Sequence, residues 1–172
     1  EQTERLTQMS KTLLETSILQ QVARNEQLQL APMVEEIFTD LAPLAEKRSI
    51  TLEAEGDAAR TGSDALIYRL LFNLTENAVK YNRPGGSVRV ELAQGQEKCI
   101  IRVSDTGCGI PEVYQRSIFQ PFFRVDKSRS REYGGAGLGL SLVWEIANLH
   151  GGSGWVEESS DKGTTIAVEL PA

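Results

Sequence analysis

The spacing of hydrophobic residues along the chain predicts an alternation of helices and strands. Hydrophobic residues recur every three or four positions in the segments that we predict as helices, which are 1–30, 32–48, 64–82, a short one near 112–118, and 138–149. They alternate with polar residues in the predicted strands, which are 49–55, 87–93, 98–104, 153–158 and 164–170. This order predicts a mixed, mostly antiparallel sheet with helices layered on one of its faces.

Glycine, proline and aspartate mark the ends of several of these elements. Gly95 predicts a hairpin between two strands, and residues 56–63 are expected to form a turn-rich link. Pro32 suits the first position of its helix, and Pro43 predicts a kink in the same helix. Asp64 is expected to cap the helix that follows it.

The helix predicted over 64–82 has a polar face besides its apolar stripe. Asn73, Asn77, Lys80 and Tyr81 line up along that face. Asparagine is unfavourable in the middle of a helix, so a function can explain its presence there. An amide oxygen can coordinate Mg²⁺ beside substrate phosphates, a lysine can neutralise phosphate charge, and a tyrosine ring can lie on a base. The alternative is an ordinary amphipathic helix with a solvated polar face.

Composition argues against several other classes of protein. The chain has 172 residues, a net charge of −6 and a sequence pI near 4.9, and without a basic cluster it is not expected to bind nucleic acid. No segment reaches the length of a membrane span, and a chain that begins at Glu1 rather than Met is expected to be a fragment. Cys99 is expected to be a buried reduced thiol, and Cys108 and a single histidine do not suffice for a zinc-type site. The composition indicates a cytosolic domain.

Two glycine-containing segments are suited to contact with a nucleotide. Asp105 ends a predicted strand, where its carboxylate can accept a hydrogen bond from an exocyclic amino group, and Gly107 and Gly109 let a flat ring approach the backbone. A plain Asp-Gly turn is the alternative. Residues 134–140 (GGAGLGL) lead into the start of a predicted helix, where backbone N–H groups can hold phosphate. A flexible linker without a ligand is the alternative there.

Four motifs in order resemble the ATP-binding catalytic domain of two-component sensor histidine kinases. ENAVKYN resembles the N-box of that family, DTGCGIP its first glycine box, FQPFFR its phenylalanine box and GGAGLGLSLV its second glycine box. The closing segment HGGSGWVEESSDKGTTIAVELP is similar to the last strands of the family. The resemblance covers roughly residues 30–172 and implies a two-layer α/β sandwich, with a mixed sheet of about five strands under about three helices.

The resemblance also implies a role for each matching residue. Asn77 would bind Mg²⁺ with help from Asn73, Lys80 would face the phosphates of ATP, and Tyr81 would pack on the adenine side. Asp105 would hold the adenine amino group. The other residues of the ATP site would shape the base pocket, reach the phosphates from a lid over residues 120–136, or form the glycine hinge of that lid: Gly107, Gly109, Ile110, Lys127, Arg129, Arg131, Gly135, Gly137, Leu138 and Gly139. At least one of the three lid cations is expected to be merely a solvated charge.

Position 73 bears on the type of reaction. Related ATPases of the gyrase type carry a glutamate there to activate water, whereas the amide of Asn73 is a poor base. We therefore expect transfer to a protein acceptor rather than fast hydrolysis. Glu76 points about 100° away around the helix and is expected to be structural. His150 matches the closing HGG segment of the family, so we expect a capping or surface histidine rather than the phosphate acceptor.

The resemblance finally implies two regions and a set of partners. Residues 1–30 would be the remnant of a dimerisation helix and its linker, and residues 31–172 the catalytic domain. The chain would donate the γ-phosphate of Mg²⁺-ATP to a histidine on the dimerisation domain of the same homodimeric protein, whose partner would be a cognate response regulator. A serine protein kinase of the same superfamily and a non-catalytic nucleotide-sensing module are the alternatives. The N-terminal helix favours the histidine kinase, and the intact Asn77 and Asp105 argue against the module. Whether the parent protein is anchored in the inner membrane stays open.

Overall fold

The computed structural model describes residues 26–107, 109 and 138–171, which contain seven strands and three helices. In chain order these elements are β1 (Glu26–Gln29), α1 (Leu30–Lys47), β2 (Thr51–Gly56), β3 (Ala59–Gly62), α2 (Asp64–Lys80), β4 (Ser87–Gln94), β5 (Lys98–Asp105), α3 (Leu138–Leu149), β6 (Ser153–Ser160) and β7 (Gly163–Pro171). The predicted helices and strands that correspond to α1–α3, β2 and β4–β7 are confirmed. The helix predicted near 112–118 and the lid lie outside the described residues.

Five strands form one sheet in the order β2-β4-β5-β7-β6. β2 is parallel to β4, and the other three neighbouring pairs are antiparallel, so the predicted mixed sheet is confirmed. β4 and β5 form the predicted hairpin, in which the N–H of Gly95 donates to the carbonyl oxygen of Lys98 over 2.7 Å. Because β5 lies in the middle of the sheet, its last residue, Asp105, has Val88 on one side and Thr164 on the other.

The two faces of this sheet differ sharply in polarity. One face is apolar and buried, and on β4 and β5 its side chains are Val88, Val90, Leu92, Cys99, Ile101 and Val103. The alternate residues carry ion pairs between strands, such as Arg102 with Glu157 at 2.9 Å and Lys98 with Glu169 at 3.0 Å. The helices therefore cover the buried face only, which is the predicted two-layer α/β sandwich. Cys99 is a buried free thiol, as predicted.

α2 is the central helix of the helical layer. It packs against α1 on one side and α3 on the other, and against β4 and β5 beneath. Its predicted apolar stripe is buried, and the members of that stripe are Leu66, Leu70, Leu71, Leu74 and Ala78. Burying a leucine side chain contributes about 1.5–3 kcal/mol, so this helix is firmly attached to the core. The polar face of α2 is therefore also held in a fixed position.

β1 and β3 form a second, two-stranded antiparallel sheet, and here the sequence-based predictions are wrong. Residues 26–29 are a strand rather than the end of a helix over 1–30, and the predicted turn-rich link contains β3. Leu28 of β1 is buried in the core, and the N–H of Leu30 donates to the carbonyl oxygen of Ala58 over 2.9 Å. This pairing between distant parts of the chain overrides the helical spacing of the segment. The helix predicted for residues 1–25 lies outside the described residues.

The start of α1 also differs from the prediction. α1 begins at Leu30, so Pro32 is its third residue rather than its first. Proline still fits there, because the first N–H groups of a helix have no partner within the helix. The N–H of Ala31 instead donates to Oδ1 of Asp57 over 3.0 Å. α1 includes Pro43 and continues to Lys47.

Candidate functional site

The N-cap of α2 is Ser63, one residue earlier than predicted. Its Oγ accepts a hydrogen bond from the N–H of Leu66 over 3.3 Å, and Ser63 has the extended backbone typical of a capping residue. The prediction that Asp64 caps the helix is therefore wrong. Asp64 lies in the first turn, where its negative charge favours the helix dipole.

The predicted polar face of α2 is partly buried. Asn77 is only 9% exposed, and its Nδ2 atom has no hydrogen-bond partner among the residues that the structure describes. Asn73, one turn earlier, is half-buried. Leaving a buried amide without a partner costs about 1–3 kcal/mol, which a purely structural role does not explain. This observation counts against the simple solvated face and in favour of a ligand.

Lys80 ends the same face with a positive charge that remains accessible. Its Nζ lies 3.3 Å from Oε1 of Glu76, and the lysine side chain is 48% exposed. Such a pair four residues apart on a helix contributes about 0.3–0.5 kcal/mol. Glu76 is thus engaged with Lys80 in the structure, in agreement with its predicted structural role.

Asp105 supplies a partly buried carboxylate at the end of β5. Its Oδ1 accepts hydrogen bonds from the N–H of Gly107 over 2.8 Å and from the N–H of Thr164 over 3.2 Å. Burial raises the pKa of the Asp105 carboxyl to about 6, although the two backbone N–H groups lower it in part. Its Oδ2 accepts no hydrogen bond within the described part of the chain, so one carboxylate oxygen is available to a ligand.

Gly107 brings the end of α2 and the end of β5 together. A Cβ atom at position 107 would lie 2.4 Å from the carbonyl oxygen of Tyr81 and 3.0 Å from Oδ1 of Asp105, so only glycine permits this approach. The N–H of Tyr81 in turn donates to the carbonyl oxygen of Asn77 over 3.0 Å. The Asp105 carboxylate and the Asn77 amide are therefore carried by two segments that meet at Gly107 and Tyr81. Gly109 packs on the other side of this loop, against the carbonyl oxygen of Ser160.

Several predicted site residues lie outside the described residues. These are Ile110, Lys127, Arg129, Arg131, Gly135 and Gly137. Leu138 and Gly139 begin α3, although the side chain of Leu138 is not described. The roles of all eight residues stay predictions.

Four further residues support the site and were not predicted. Arg48 donates hydrogen bonds to the carbonyl oxygens of Val79 and Asn82, at 3.2 and 2.9 Å. Thr164 holds Asp105, and Asn82 bonds to Thr106 beside it. Their contacts join residues that are distant in the chain, and no periodic pattern marks them. Asn82 and Thr106 lie within two of the recognised motifs, and this was the one signal that could have identified them. Arg48 had no such signal.

His150 is neither exposed nor free. It is 7% exposed, its Nε2 accepts a hydrogen bond from the N–H of Ser63 over 3.1 Å, and its Nδ1 lies 2.9 Å from the carbonyl oxygen of Ile146. Since Nε2 accepts a hydrogen bond, the ring proton is on Nδ1, which donates a hydrogen bond to the carbonyl oxygen of Ile146. The prediction was a capping or surface histidine: the surface position is wrong, whereas capping agrees with the bond to Ile146 in the last turn of α3. The side chain joins the end of α3 to the start of α2. Its predicted exclusion as the phosphate acceptor agrees with this burial.

The donor set limits which metal the site can take. Within residues 26–107, 109 and 138–171, no three His, Cys, Asp or Glu side chains are grouped as metal ligands. An amide such as Asn77 fits a hard cation that is bound mainly through a nucleotide and water.

None of the three described helices is both long and apolar enough to span a bilayer.

Comparison with known proteins defines the class to which this fold and site belong. Residues 62–172 match the family described as Histidine kinase-, DNA gyrase B-, and HSP90-like ATPase. The sensor histidine kinase RppB of Synechocystis sp. is 36% identical over an aligned stretch of 173 positions, which covers 97% of this chain and 38% of RppB. The sensor histidine kinase WalK of Bacillus subtilis is 41% identical over 107 residues, which are 61% of this chain and 18% of WalK.

Solved structures agree with these relatives. The catalytic domain of the histidine kinase ThkA superposes with a TM-score of 0.74 at 25% identity, over 87% of this chain and 97% of that domain. A structure of ThkA in complex with the response regulator protein TrrA gives the same TM-score of 0.74 at 24% identity, over 99% of this chain and 48% of that one. The architecture is that of a histidine kinase catalytic domain. The chain belongs to the family of histidine kinase-, DNA gyrase B- and HSP90-like ATPases, and it spans well under half the length of RppB.

Proposed function

We propose that this chain binds Mg²⁺-ATP and donates the γ-phosphate to a histidine on the dimerisation domain of its parent protein. The observation that carries this proposal is the close contact between Gly107 and Tyr81. It joins the segment that carries the Asp105 carboxylate to the helix end that carries the unpaired amide of Asn77, which supports a shared site. Membership of the ATPase family supplies the class of ligand.

Asp105 is proposed to select adenine. Its Oδ1 is held by two backbone N–H groups, which leaves Oδ2 to accept a hydrogen bond from the exocyclic amino group of the base. A base with a carbonyl group in that position would turn an oxygen towards the carboxylate and be rejected. Hydrogen bonds to an ionised acceptor are stronger than neutral ones, so this single contact can provide much of the discrimination.

Asn77, with Asn73 beside it, is proposed to hold the metal ion. Its Oδ1 would be the oxygen ligand, whereas its Nδ2 is the buried amide atom that has no partner among the described residues. When bound, Mg²⁺ neutralises charge on the phosphates of ATP. Lys80 contributes a second positive charge at the end of the same helix, and Tyr81 flanks the adenine.

The lid is proposed to complete the phosphate site. Lys127, Arg129 and Arg131 would supply cations, and Ile110 would close the base pocket. The glycines at 135, 137 and 139 would let the backbone follow the phosphates, next to Leu138 at the N-terminus of α3. At least one of the three lid cations is expected to remain solvated.

Transfer to a histidine is proposed in preference to hydrolysis. The bond between the γ-phosphorus and the β,γ-bridging oxygen of ATP breaks, that oxygen leaves with ADP, and the γ-phosphorus forms a bond to an imidazole nitrogen. Such a step needs positioning and charge neutralisation above all. On the described face of α2, Asn73 cannot take a proton from water and Glu76 is paired with Lys80. The only histidine of the chain, His150, is buried, so the acceptor must be supplied by another part of the parent protein. A response regulator is the proposed next acceptor.

Calorimetric titration tests the binding step. A non-hydrolysable ATP analogue should bind with micromolar affinity, and Mg²⁺ should strengthen that binding. Asn77→Ala should abolish the effect of Mg²⁺ while the circular dichroism spectrum stays unchanged. Asn148→Ala, the same change at an exposed position of α3, is the matched control.

A separate assay tests the transfer step. The chain is incubated with radiolabelled ATP and the dimerisation domain of the parent protein. Acid-labile label on the acceptor histidine is the expected result, because a phosphohistidine is hydrolysed by acid. Acid-stable label would indicate a serine kinase, and tight binding without any transfer would indicate a nucleotide-sensing module. Either outcome would overturn the proposed reaction.

A further inference from the structure

Asn82, Ser87 and Thr106 form a closed ring of three hydrogen bonds. Nδ2 of Asn82 donates to the carbonyl oxygen of Ser87 over 2.8 Å, and the N–H of Ser87 donates to Oγ1 of Thr106 over 2.9 Å. Oγ1 of Thr106 completes the ring by donating to Oδ1 of Asn82 over 2.9 Å. The Thr106 hydroxyl accepts one bond and donates one, and the Asn82 amide donates through Nδ2 and accepts through Oδ1, so the three bonds can exist together.

The ring joins three elements that meet at the nucleotide site. Asn82 follows α2, Ser87 begins β4, and Thr106 follows Asp105 at the end of β5. Asn82 is 4% exposed, and its Oδ1 also accepts a hydrogen bond from the N–H of Arg83. A Cβ atom at Gly86 would lie 2.3 Å from that oxygen and 2.4 Å from Oγ1 of Thr106. Gly86 therefore packs closely against the ring and leaves no room for a side chain at position 86, whereas the Thr106 side of the ring is exposed.

The position of the ring fixes two functional groups relative to each other. Thr106 lies between Asp105 and Gly107, the residue whose N–H orients the Asp105 carboxylate. Asn82 lies next to Tyr81, whose N–H is bonded to the carbonyl oxygen of Asn77. A displacement of Thr106 from Asn82 would thus change the separation between the carboxylate and the amide. Within the ring, the hydrogen bond between Thr106 and Asn82 directly joins the two segments that carry the carboxylate and the amide.

We propose that Asn82 and Thr106 are positioning residues that couple the base-binding end of the site to its metal-binding end. The proposal rests on the proposed function, since it assumes that Asp105 contacts the base and Asn77 the metal. A ligand that spans both groups gains affinity only if their separation is already correct. Loss of the ring would therefore reduce the benefit that Mg²⁺ adds to adenine binding, in addition to any effect on the fold.

The alternative is that the ring merely stabilises the turn after α2. The measurement that separates the two roles is the factor by which Mg²⁺ strengthens binding of the ATP analogue, obtained from titrations with and without the ion. A structural defect lowers the unfolding free energy but leaves this factor unchanged in the folded protein. A positioning defect lowers the factor itself, because the two ends of the ligand no longer fit simultaneously.

Substitutions at Thr106 give the sharpest test. Thr106→Val keeps the shape of the side chain and removes the hydroxyl, which breaks two of the three hydrogen bonds. We expect it to weaken binding of the Mg²⁺-bound analogue about fivefold to tenfold, in line with the loss of about 1 kcal/mol or slightly more, and to reduce the Mg²⁺ factor. Thr106→Ser keeps the hydroxyl and should restore both values to within about twofold of the wild type.

Thr75→Val is the matched control. It removes a buried threonine hydroxyl from α2 itself, where Oγ1 of Thr75 donates to the carbonyl oxygen of Leu71 over 2.7 Å, but it does not touch the ring. Its Mg²⁺ factor should equal that of the wild type. If Thr106→Val does not fold, Asn82→Asp serves in its place. It replaces the Nδ2 donor by a carboxylate oxygen that repels the carbonyl oxygen of Ser87, so the ring is broken at that bond and we expect the factor to fall.

The outcomes separate this inference from the proposed function. Wild-type protein that binds no analogue would overturn the proposed function and this inference together. Wild-type protein that binds normally, with a Thr106→Val variant that keeps the full Mg²⁺ factor, would overturn the positioning role alone. A reduced factor in Thr106→Val, with Thr106→Ser and Thr75→Val unchanged, supports it.

Discussion

Asp105 and Thr164 face each other across β5 and β7, and the N–H of Thr164 donates a hydrogen bond to Oδ1 of Asp105. Together with the N–H of Gly107, this contact fixes which carboxylate oxygen turns to the protein and which turns away. Because the two oxygens have different partners, an amide in place of the carboxylate should adopt one orientation only. Oδ1 would keep the backbone N–H groups, and the NH₂ group would take the position of Oδ2.

Asp105→Asn should therefore change base preference without unfolding the protein. The new NH₂ group opposes the adenine amino group, so we expect ATP affinity to fall about 10- to 100-fold, as for loss of a hydrogen bond to a charged group. A 6-oxo purine nucleotide such as GTP should lose much less affinity or gain some. Calorimetric titration with ATP and GTP measures both effects.

Asp161→Asn is the matched control for the change in charge. Asp161 is an exposed acid in the turn between β6 and β7, so the substitution alters the net charge close to the site and leaves the Asp105 carboxylate in place. It should leave the preference for ATP intact. An Asp105→Asn variant that still discriminates ATP from GTP as strongly as the wild type would contradict the assignment of Asp105.

The raised pKa of Asp105 predicts an unusual dependence of stability on pH. Burial favours the protonated form in the folded state and raises the pKa to about 6, whereas an aspartate in an unfolded chain has a pKa of about 3.9. Between these values the folded protein binds more protons than the unfolded one. The contribution of Asp105 to the unfolding free energy therefore falls as the pH rises through this window, and the full penalty is present above the folded pKa.

Urea unfolding between pH 4.5 and 7.5 tests this sign. The difference in unfolding free energy, Asp105→Asn minus wild type, should increase with pH up to about pH 6.5, because the amide does not titrate and the other carboxyl groups are common to both proteins. Nucleotide affinity of the wild type should weaken on acidification, since the adenine amino group favours the ionised carboxylate. A difference that is constant with pH would argue against a raised pKa.

Elements with a strong hydrophobic pattern could be predicted from the sequence, and elements that depend on distant pairing could not. α3 was predicted with its observed bounds, because its apolar positions recur at helical spacing and glycines follow it. β3 has no such pattern, since its inward residue Arg60 is charged and buried by pairing with Leu28. Its guanidinium donates to the carbonyl oxygen of Thr61, a contact that no sequence pattern indicates.

The candidate site shows the same division. Asn77 and Asp105 could be predicted because each is unusual for its local structure. Asn77 is a polar residue in the middle of a helix, and Asp105 is an acidic residue at the end of an apolar strand. Arg48 and Thr164 could not, because their value comes only from partners that the fold brings to them. The depth at which His150 is buried was missed for the same reason, since its acceptor role depends on Ser63 at the start of another helix.

Arg48 is expected to hold the end of α2 in place. Its guanidinium donates to two carbonyl oxygens at that end, where a positive charge also favours the helix dipole. Arg48→Met should lower the unfolding free energy by about 1–2 kcal/mol, in line with half-exposed hydrogen bonds from a charged donor. Urea denaturation measures this loss. Arg89→Met is the control, because the ion pairs that Arg89 forms in the described part of the chain are exposed on the sheet surface, so the loss should be clearly smaller than for Arg48→Met. Equal losses for the two variants would contradict the capping role.

His150 is expected to matter for the fold and not for phosphoryl transfer. His150→Leu leaves the buried N–H of Ser63 without an acceptor, which should cost about 1–3 kcal/mol of unfolding free energy. The carbonyl oxygen of Ile146 keeps the backbone N–H of residue 150 as a donor, so it adds little to this loss. His150→Gln is the matched variant, because its amide oxygen can take the position of Nε2, and we expect it to lose less than half as much.

The same two variants separate stability from chemistry. At a temperature where both are folded, each should transfer phosphate to an added dimerisation domain at the wild-type rate, since the histidine touches neither Asn77 nor Asp105 in the described structure. A loss of transfer in His150→Gln with unchanged stability would place His150 in the reaction after all. A stability loss that is equal in the glutamine and leucine variants would instead show that the bond to Ser63 is not what the side chain contributes.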